Sequence, residues 1–182
     1  MEHTSCSSGT IRYSEMTSVN PLDNPEACTI RPAQADDLDR LYEIDAACFS
    51  AGIAYPREYL SSLLCSPTSI ARVAVIEGRI VGFAVLEVRQ PALKIMGELV
   101  TIDVLEEARR QGVGQLLHAS VERAVSHRGG NKIRLQVSVE NESAIRFYEQ
   151  LGYRTRGRIP RYYLDKIDAW WMEKKWKDAP KA

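Results

Sequence analysis

The chain has 182 residues, with 24 Lys and Arg against 24 Asp and Glu, so its formal net charge is zero. That length carries one domain with a sizeable core, and the charge balance excludes bulk nucleic-acid binding, which needs a basic footprint. No apolar run approaches the ~20 residues that cross a bilayer, so no membrane association is expected.

Residues 1–27 are rich in Ser, Thr, Asn and Pro without a sustained period and read as a flexible leader. They contain no hydrophobic signal segment, which points to a cytoplasmic protein. The cysteines, Cys6, Cys28, Cys48 and Cys65, form no CxxC pair, and no His stands at ligand spacing from them, so no metal site is expected. Cys48 and Cys65 fall in apolar helical patterns and read as buried small hydrophobes. His118 falls on the polar side of its helix and reads as solvated.

The domain spans 28–177. Cys28 to Arg31 is a short strand. Asp36 and Asp37 open a helix, where their charge suits the dipole, with Leu38, Leu41, Ile44 and Cys48 as its apolar side. Phe49 to Tyr55 is a loop. Pro56 starts a second helix with Tyr59, Leu60, Leu63 and Leu64 inward. Ser69 to Ile76 and Ile80 to Val88 form a hairpin about Glu77-Gly78-Arg79. Ile95 to Val104 is the fourth strand.

Leu105 to Ala108 is a polar connection, and Arg109-Arg110-Gln111-Gly112-Val113-Gly114-Gln115 then opens a helix. Val113, Leu116, Leu117, Val121, Ala124 and Val125 give that helix a buried stripe. The first N–H groups of a helix have no intrahelical partners and carry partial positive charge. Gly112 and Gly114 let a diphosphate approach them, and Arg109 and Arg110 add charge. Taken alone, the hexapeptide reads equally as a helix start with a solvated basic turn. It is not a P-loop, lacking Gly-Lys-Ser/Thr, and it lacks the third glycine of the dinucleotide fingerprint.

Ile133 to Val139 alternates as a strand. Asn141 caps a helix to Leu151, with Ala144, Ile145, Tyr148 and Leu151 on one side, and Gly152 ends it. Tyr153 to Ile159 and Ile167 to Trp176 form a last antiparallel pair, and 178–182 is a polar tail. Arg154, Arg156 and Arg158 share one face of the first of these strands, a solvated basic face. The order is strand, two helices, three strands, helix, strand, helix, two strands: a mixed α/β sheet with helices on both faces.

Two blocks carry a resemblance. Arg109-x-x-Gly112-x-Gly114 follows the fourth strand, and Asn141-Glu142-Ser143-Ala144-Ile145-Arg146-Phe147-Tyr148-Glu149-Gln150-Leu151-Gly152-Tyr153 follows the fifth. In this order and spacing they resemble the GNAT superfamily of acetyltransferases from Cys28 to Trp176. Arg161-Tyr162-Tyr163-Leu164-Asp165-Lys166-Ile167-Asp168-Ala169-Trp170-Trp171-Met172 is similar to the end block of its protein N-terminal acetyltransferases, the ribosomal-protein alanine N-acetyltransferases among them.

The resemblance implies a single-domain, mostly antiparallel sheet of about seven strands, splayed between the fourth and fifth strands near Ile102 to Val104. It implies acetyl-CoA as cofactor, its diphosphate at Arg109 to Gln115. Its pantetheine would pair with the free backbone of Ile102, Asp103 and Val104, beside Asn141 and Ala144. Tyr148 becomes the general acid at the sulfur. Glu98 becomes the base, and burial among Met96, Leu99 and Val100 is expected to raise its pKa. The ribosomal-protein enzymes carry their base on the next strand, where this chain has Gln136. Glutamine holds a water or a peptide carbonyl and accepts no proton at neutral pH. Phe49, Tyr55, Gln136, Tyr162 and Tyr163 are the expected acceptor contacts. The acceptor is expected to be a protein or peptide N-terminus, for an enzyme that is a monomer or homodimer. The alternatives are a small amine, polyamine or lysine acetyltransferase, and a non-catalytic acyl-CoA-binding module. No nucleic acid is expected as a partner.

Overall fold

The computed structural model describes residues 28–49 and 52–177; the leader, Ser50, Ala51 and the C-terminal tail lie outside the described residues. Seven strands form one sheet in the order β1-β2-β3-β4-β5-β7-β6, with β1 Thr29–Pro32, β2 Ser69–Ile76, β3 Arg79–Arg89, β4 Met96–Val104, β5 Lys132–Ser138, β6 Arg154–Tyr163 and β7 Ile167–Lys175. All neighbours are antiparallel except β4 and β5. Four helices accompany them: α1 Leu38–Cys48, α2 Arg57–Cys65, α3 Val113–His127 and α4 Glu142–Gln150. None is long and apolar enough to cross a membrane.

The central strands β4 and β5 hide residues at alternate positions, and β3 buries a continuous run from Gly82 to Leu86, as a sheet covered by helices demands. On one face Leu117, Val121 and Val125 of α3 pack on Leu86, Leu99, Ile133 and Leu135. On the other, Leu41 and Ile44 of α1 and Leu60 and Leu63 of α2 pack on Val73, Phe83 and Val85. Tyr59, expected inward, is 40% exposed.

Three local readings are corrected. Asp37 does not serve α1 as a dipole charge alone. It accepts two bonds from Arg31 (2.7 and 2.9 Å) and one from the backbone N–H of Gln34 (2.8 Å). The Arg31 guanidinium therefore holds this carboxyl below the usual aspartate range, and α1 begins only at Leu38, after a 3-10 turn over Ala35–Asp37. Cys65 is exposed rather than buried, at the last position of α2. His118 is fully buried rather than solvated: its Nε2 lies 2.9 Å from the Tyr153 hydroxyl, and a partner outside its own helix overrode the helical pattern.

Three irregularities position the site. Between Leu99 and Thr101 the β3–β4 register shifts, so Val100 stands as a bulge opposite no residue of β3. The β4–β5 pairing consists of Gly97 with Ile133 and Glu98 with Arg134, after which the strands part. The splay therefore begins at Leu99, earlier than the Ile102 expected. β6 is longer than predicted: its register breaks between Ile159 and Tyr163, at Pro160, and the strand resumes to include Tyr162 and Tyr163.

Candidate active site

The phosphate turn comes first. Gly112 is the N-cap of α3 at φ +80°, a left-handed conformation that glycine adopts without steric cost. It turns the chain so that α3 starts directly at Val113. Gly114 is held small by the protein itself: a Cβ there would stand 3.2 Å from Cζ of Phe147 on α4. Arg110 is exposed and forms no ion pair among the described residues. Arg109 turns back instead. Its Nε donates to the Val104 carbonyl at 2.8 Å and an Nη to Cys48 Sγ at 3.6 Å. Gln111 donates to the Glu107 carbonyl at 2.7 Å.

A cavity of about 830 Å³ runs from this turn along the splay. Ile102, Asp103, Val104, Arg109, Arg110, Gly112, Gly114, Gln115, Asn141, Ala144 and Tyr148 line it, as expected of the cofactor residues. Gln111 and the core residue Val113 do not. Phe49, expected beside the acceptor, lines this cavity too, with Cys48, Ser143, Phe147 and Gln150, which sequence reasoning missed. The backbone N–H groups that open α3, the splayed strand edge and the exposed guanidinium of Arg110 fit an elongated phosphate-bearing thioester. Asn141 caps α4, its Oδ1 accepting from the Ala144 N–H (3.1 Å) and the Ser143 hydroxyl (3.0 Å). Its amide NH₂ keeps its donors.

Tyr148 is 8% exposed and packs edge-on to Phe147 and Tyr153, with ring centroids 5.3 and 5.5 Å away. Burial first, then the charges of Asp103, Tyr163 and Tyr55, push its pKa far up, so the phenol stays protonated and can donate. Two other tyrosines grip the lips of the splay. Tyr55 donates to the Val100 carbonyl, freed by the bulge, and Tyr163 to the Gln136 carbonyl, both at 3.3 Å. Their neighbours Tyr59 and Tyr162 pack against them, tilted and edge-on respectively, with ring centroids 5.1 and 4.9 Å apart, and are exposed.

Glu98 sits on β4 where the pairing ends. Its Oε2 meets Arg134 at 3.2 Å and Arg89 at 3.3 Å, and its Oε1 accepts from the Gln136 amide at 3.4 Å. Burial would raise its pKa, but Arg134, Gln136 and Arg89 together outweigh burial and hold it below the ordinary range. The expected rise is thus corrected: the apolar neighbours were legible in β4, whereas the arginines come from β3 and β5. The basic face of β6 is engaged as well, with Arg158 meeting Asp168 at 2.6 Å and Arg156 meeting Glu173 at 3.8 Å.

A splayed sheet with a phosphate-sized helix start on one side and a buried phenol beside it defines an acyl-CoA transferase. Residues 38–153 match the acetyltransferase (GNAT) family. The chain belongs to that family and is an N-acetyltransferase dependent on acetyl-CoA. An N-alpha-acetyltransferase of Saccharolobus solfataricus is 30% identical over 153 residues, covering 79% of this chain and 90% of that protein. An uncharacterized N-acetyltransferase of Methanocaldococcus jannaschii is 33% identical over 147 residues, covering 80% and 90%. Among solved structures, Ard1 from Thermoplasma volcanium superposes with a TM-score of 0.71 at 26% identity, over 82% of this chain and 97% of that one. The Escherichia coli ribosomal-protein-S18-alanine N-acetyltransferase shares the fold, with a TM-score of 0.73 at 24% identity over 85% and 97%.

Proposed function

We propose that the protein acetylates the α-amino group of a protein or peptide N-terminus, by direct attack of the amine on the thioester within a ternary complex. The observation that carries this reading is the open acceptor side of the splay. Tyr55 and Tyr163 anchor its two lips, and exposed Tyr59 and Tyr162 extend it outward, as an extended chain end requires. The relatives named N-alpha-acetyltransferase support the same reading.

In this account Asn141 and the free backbone of Ile102 to Val104 hold the pantetheine arm, and Arg110 with the α3 N-terminus holds the diphosphate. Tyr148 donates to the departing sulfur. Glu98 is the carboxylate that meets the arriving amine. Fully ionised at neutral pH, it attracts an ammonium strongly and accepts a proton weakly. Gln136 holds Glu98 and leaves the Tyr163 lip in place. Most of the rate then comes from positioning and polarisation.

The test is release of free CoA from acetyl-CoA against peptides differing at their first two residues, free lysine and polyamines. Turnover on peptides supports the reading. Turnover on small amines alone overturns the peptide assignment and leaves acetyl transfer standing, and acetyl-CoA binding without turnover on any of them favours a non-catalytic module.

A further inference from the structure

A pair of carboxylates lies beside the splay, their side chains unused by the account above. Asp45 on α1 and Asp103 on β4 are both buried, at 0% and 2% exposure. One oxygen of each is engaged: Asp45 Oδ2 accepts from the Tyr55 N–H at 2.6 Å, and Asp103 Oδ1 from the Thr101 hydroxyl at 2.9 Å. The other two oxygens, Asp45 Oδ1 and Asp103 Oδ2, are buried with no partner among the described residues. Two buried carboxylates with free oxygens are costly to keep in a fold. A core position would not keep them without use.

Their surroundings point to that use. Asp103 lines the cofactor cavity and is close enough to the hydroxyls of Tyr148 and Tyr55 to perturb both. Asp45 ties Tyr55, the lip tyrosine, to α1. We propose that Asp103, backed by Asp45, is the group that takes the proton of the acceptor ammonium. This rests on the acetyl-transfer reading above and divides the labour there: Glu98 attracts the ammonium and Asp103 deprotonates it.

The chemistry balances. The N–H bond of the ammonium breaks and its proton passes to the Asp103 carboxylate. The freed nitrogen pair forms the C–N bond at the thioester carbonyl, the C–S bond breaks, and the sulfur keeps its electron pair and gains the Tyr148 proton. The nitrogen then loses its second proton, which restores the Tyr148 phenol, and Asp103 passes its own proton to solvent. One proton in all returns to solvent and one stays on CoA.

The groups facing Asp103 are Asp45 and Cys48 from α1, Arg109 from the phosphate turn, Tyr55 from the loop before α2 and Tyr148 from α4. Burial chiefly, then the Asp45 charge, push Asp103 up to about 8, against the smaller opposing effects of Thr101 and Arg109. A free α-amino group titrates at about 7.7–8.0, so donor and acceptor are matched.

The test pairs a titration with kinetics. Protein labelled with ¹³C at aspartate carboxyls is titrated by NMR, as wild type and as Asp103→Asn, and kcat/KM for a turned-over amine is followed against pH. The proposal expects one carboxyl signal titrating near neutral to mildly alkaline pH, absent from Asp103→Asn. It also expects a fall of about 10²-fold or more in kcat, loss of the ionisation through which kcat/KM rises with pH, and partial recovery in Asp103→Glu. Asp103→Asn retaining both rate and pH limb overturns it, as does an Asp103 signal titrating in the ordinary carboxylate range. Failure of acetyl transfer itself is a separate result, read from wild type lacking turnover on every amine.

Discussion

In the proposed mechanism Tyr148 and Glu98 divide the site between a proton that must be given and a charge that must be met. The Tyr148 phenol is buried and held protonated, so Tyr148→Phe removes a donor without changing the packing against Phe147 and Tyr153. The expected result is a fall of about 10²-fold or more in kcat with little change in acceptor KM, measured by steady-state CoA release. Glu98→Gln removes a charge that two arginines share, so the acceptor KM should rise more than kcat falls. At this scale the sequence spoke unevenly. Tyr148 was legible because its block has a fixed spacing from Asn141 and Gly152. The ion pairs of Glu98 were not, because Arg89 and Arg134 come from neighbouring strands. Asp103 was read only for its backbone, since nothing in β4 announces that Asp45, fifty-eight positions away, packs beside it.

The elements were more readable than their distortions. The seven strands and four α-helices were all expected, the α-helices within a few residues of their positions, whereas the short 3-10 turns were not. The Val100 bulge, the early parting of β4 from β5 and the break at Pro160 were hidden, because each is a register event between two strands rather than a property of one. Those three features aim Tyr55, Tyr162 and Tyr163 at the splay. The phosphate turn gives the sharpest prediction at this scale. Gly112→Ala forces a Cβ into φ +80°, costing about 1–2 kcal/mol, and displaces the start of α3. Denaturant unfolding should register that loss, and acetyl-CoA affinity, measured by calorimetry, should weaken with it. Affinity unchanged from wild type would place the diphosphate elsewhere.

For the whole molecule, two buried groups give stability opposite dependences on pH. His118, buried against Tyr153, is held by burial and the Lys174 charge at about 4, below its usual 6.5. The unfolded chain therefore binds that proton first, so this contribution is complete above about pH 6.5 and is lost as pH falls toward 4. Asp103 runs the other way. Its folded state keeps a proton that the unfolded chain releases above about 3.8, so its contribution is lost as pH rises toward 8. Urea unfolding from pH 4 to 9 should show Asp103→Asn gaining stability over wild type as pH rises, and His118→Gln losing the acid-side slope. Parallel curves for wild type and Asp103→Asn would contradict the buried, proton-holding state of Asp103. A residue that destabilises its fold yet lines the cofactor cavity is the pattern of a site retained for chemistry.

The central claim is that acetyl goes from acetyl-CoA to an α-amino group. The most direct measurement uses a peptide bearing both a free N-terminus and an internal lysine, incubated with acetyl-CoA and the protein, with the acetylated position located by fragment-ion mass spectrometry. The account predicts acetyl on the N-terminal nitrogen, lost in Tyr148→Phe. Acetyl on the lysine side chain alone would contradict it.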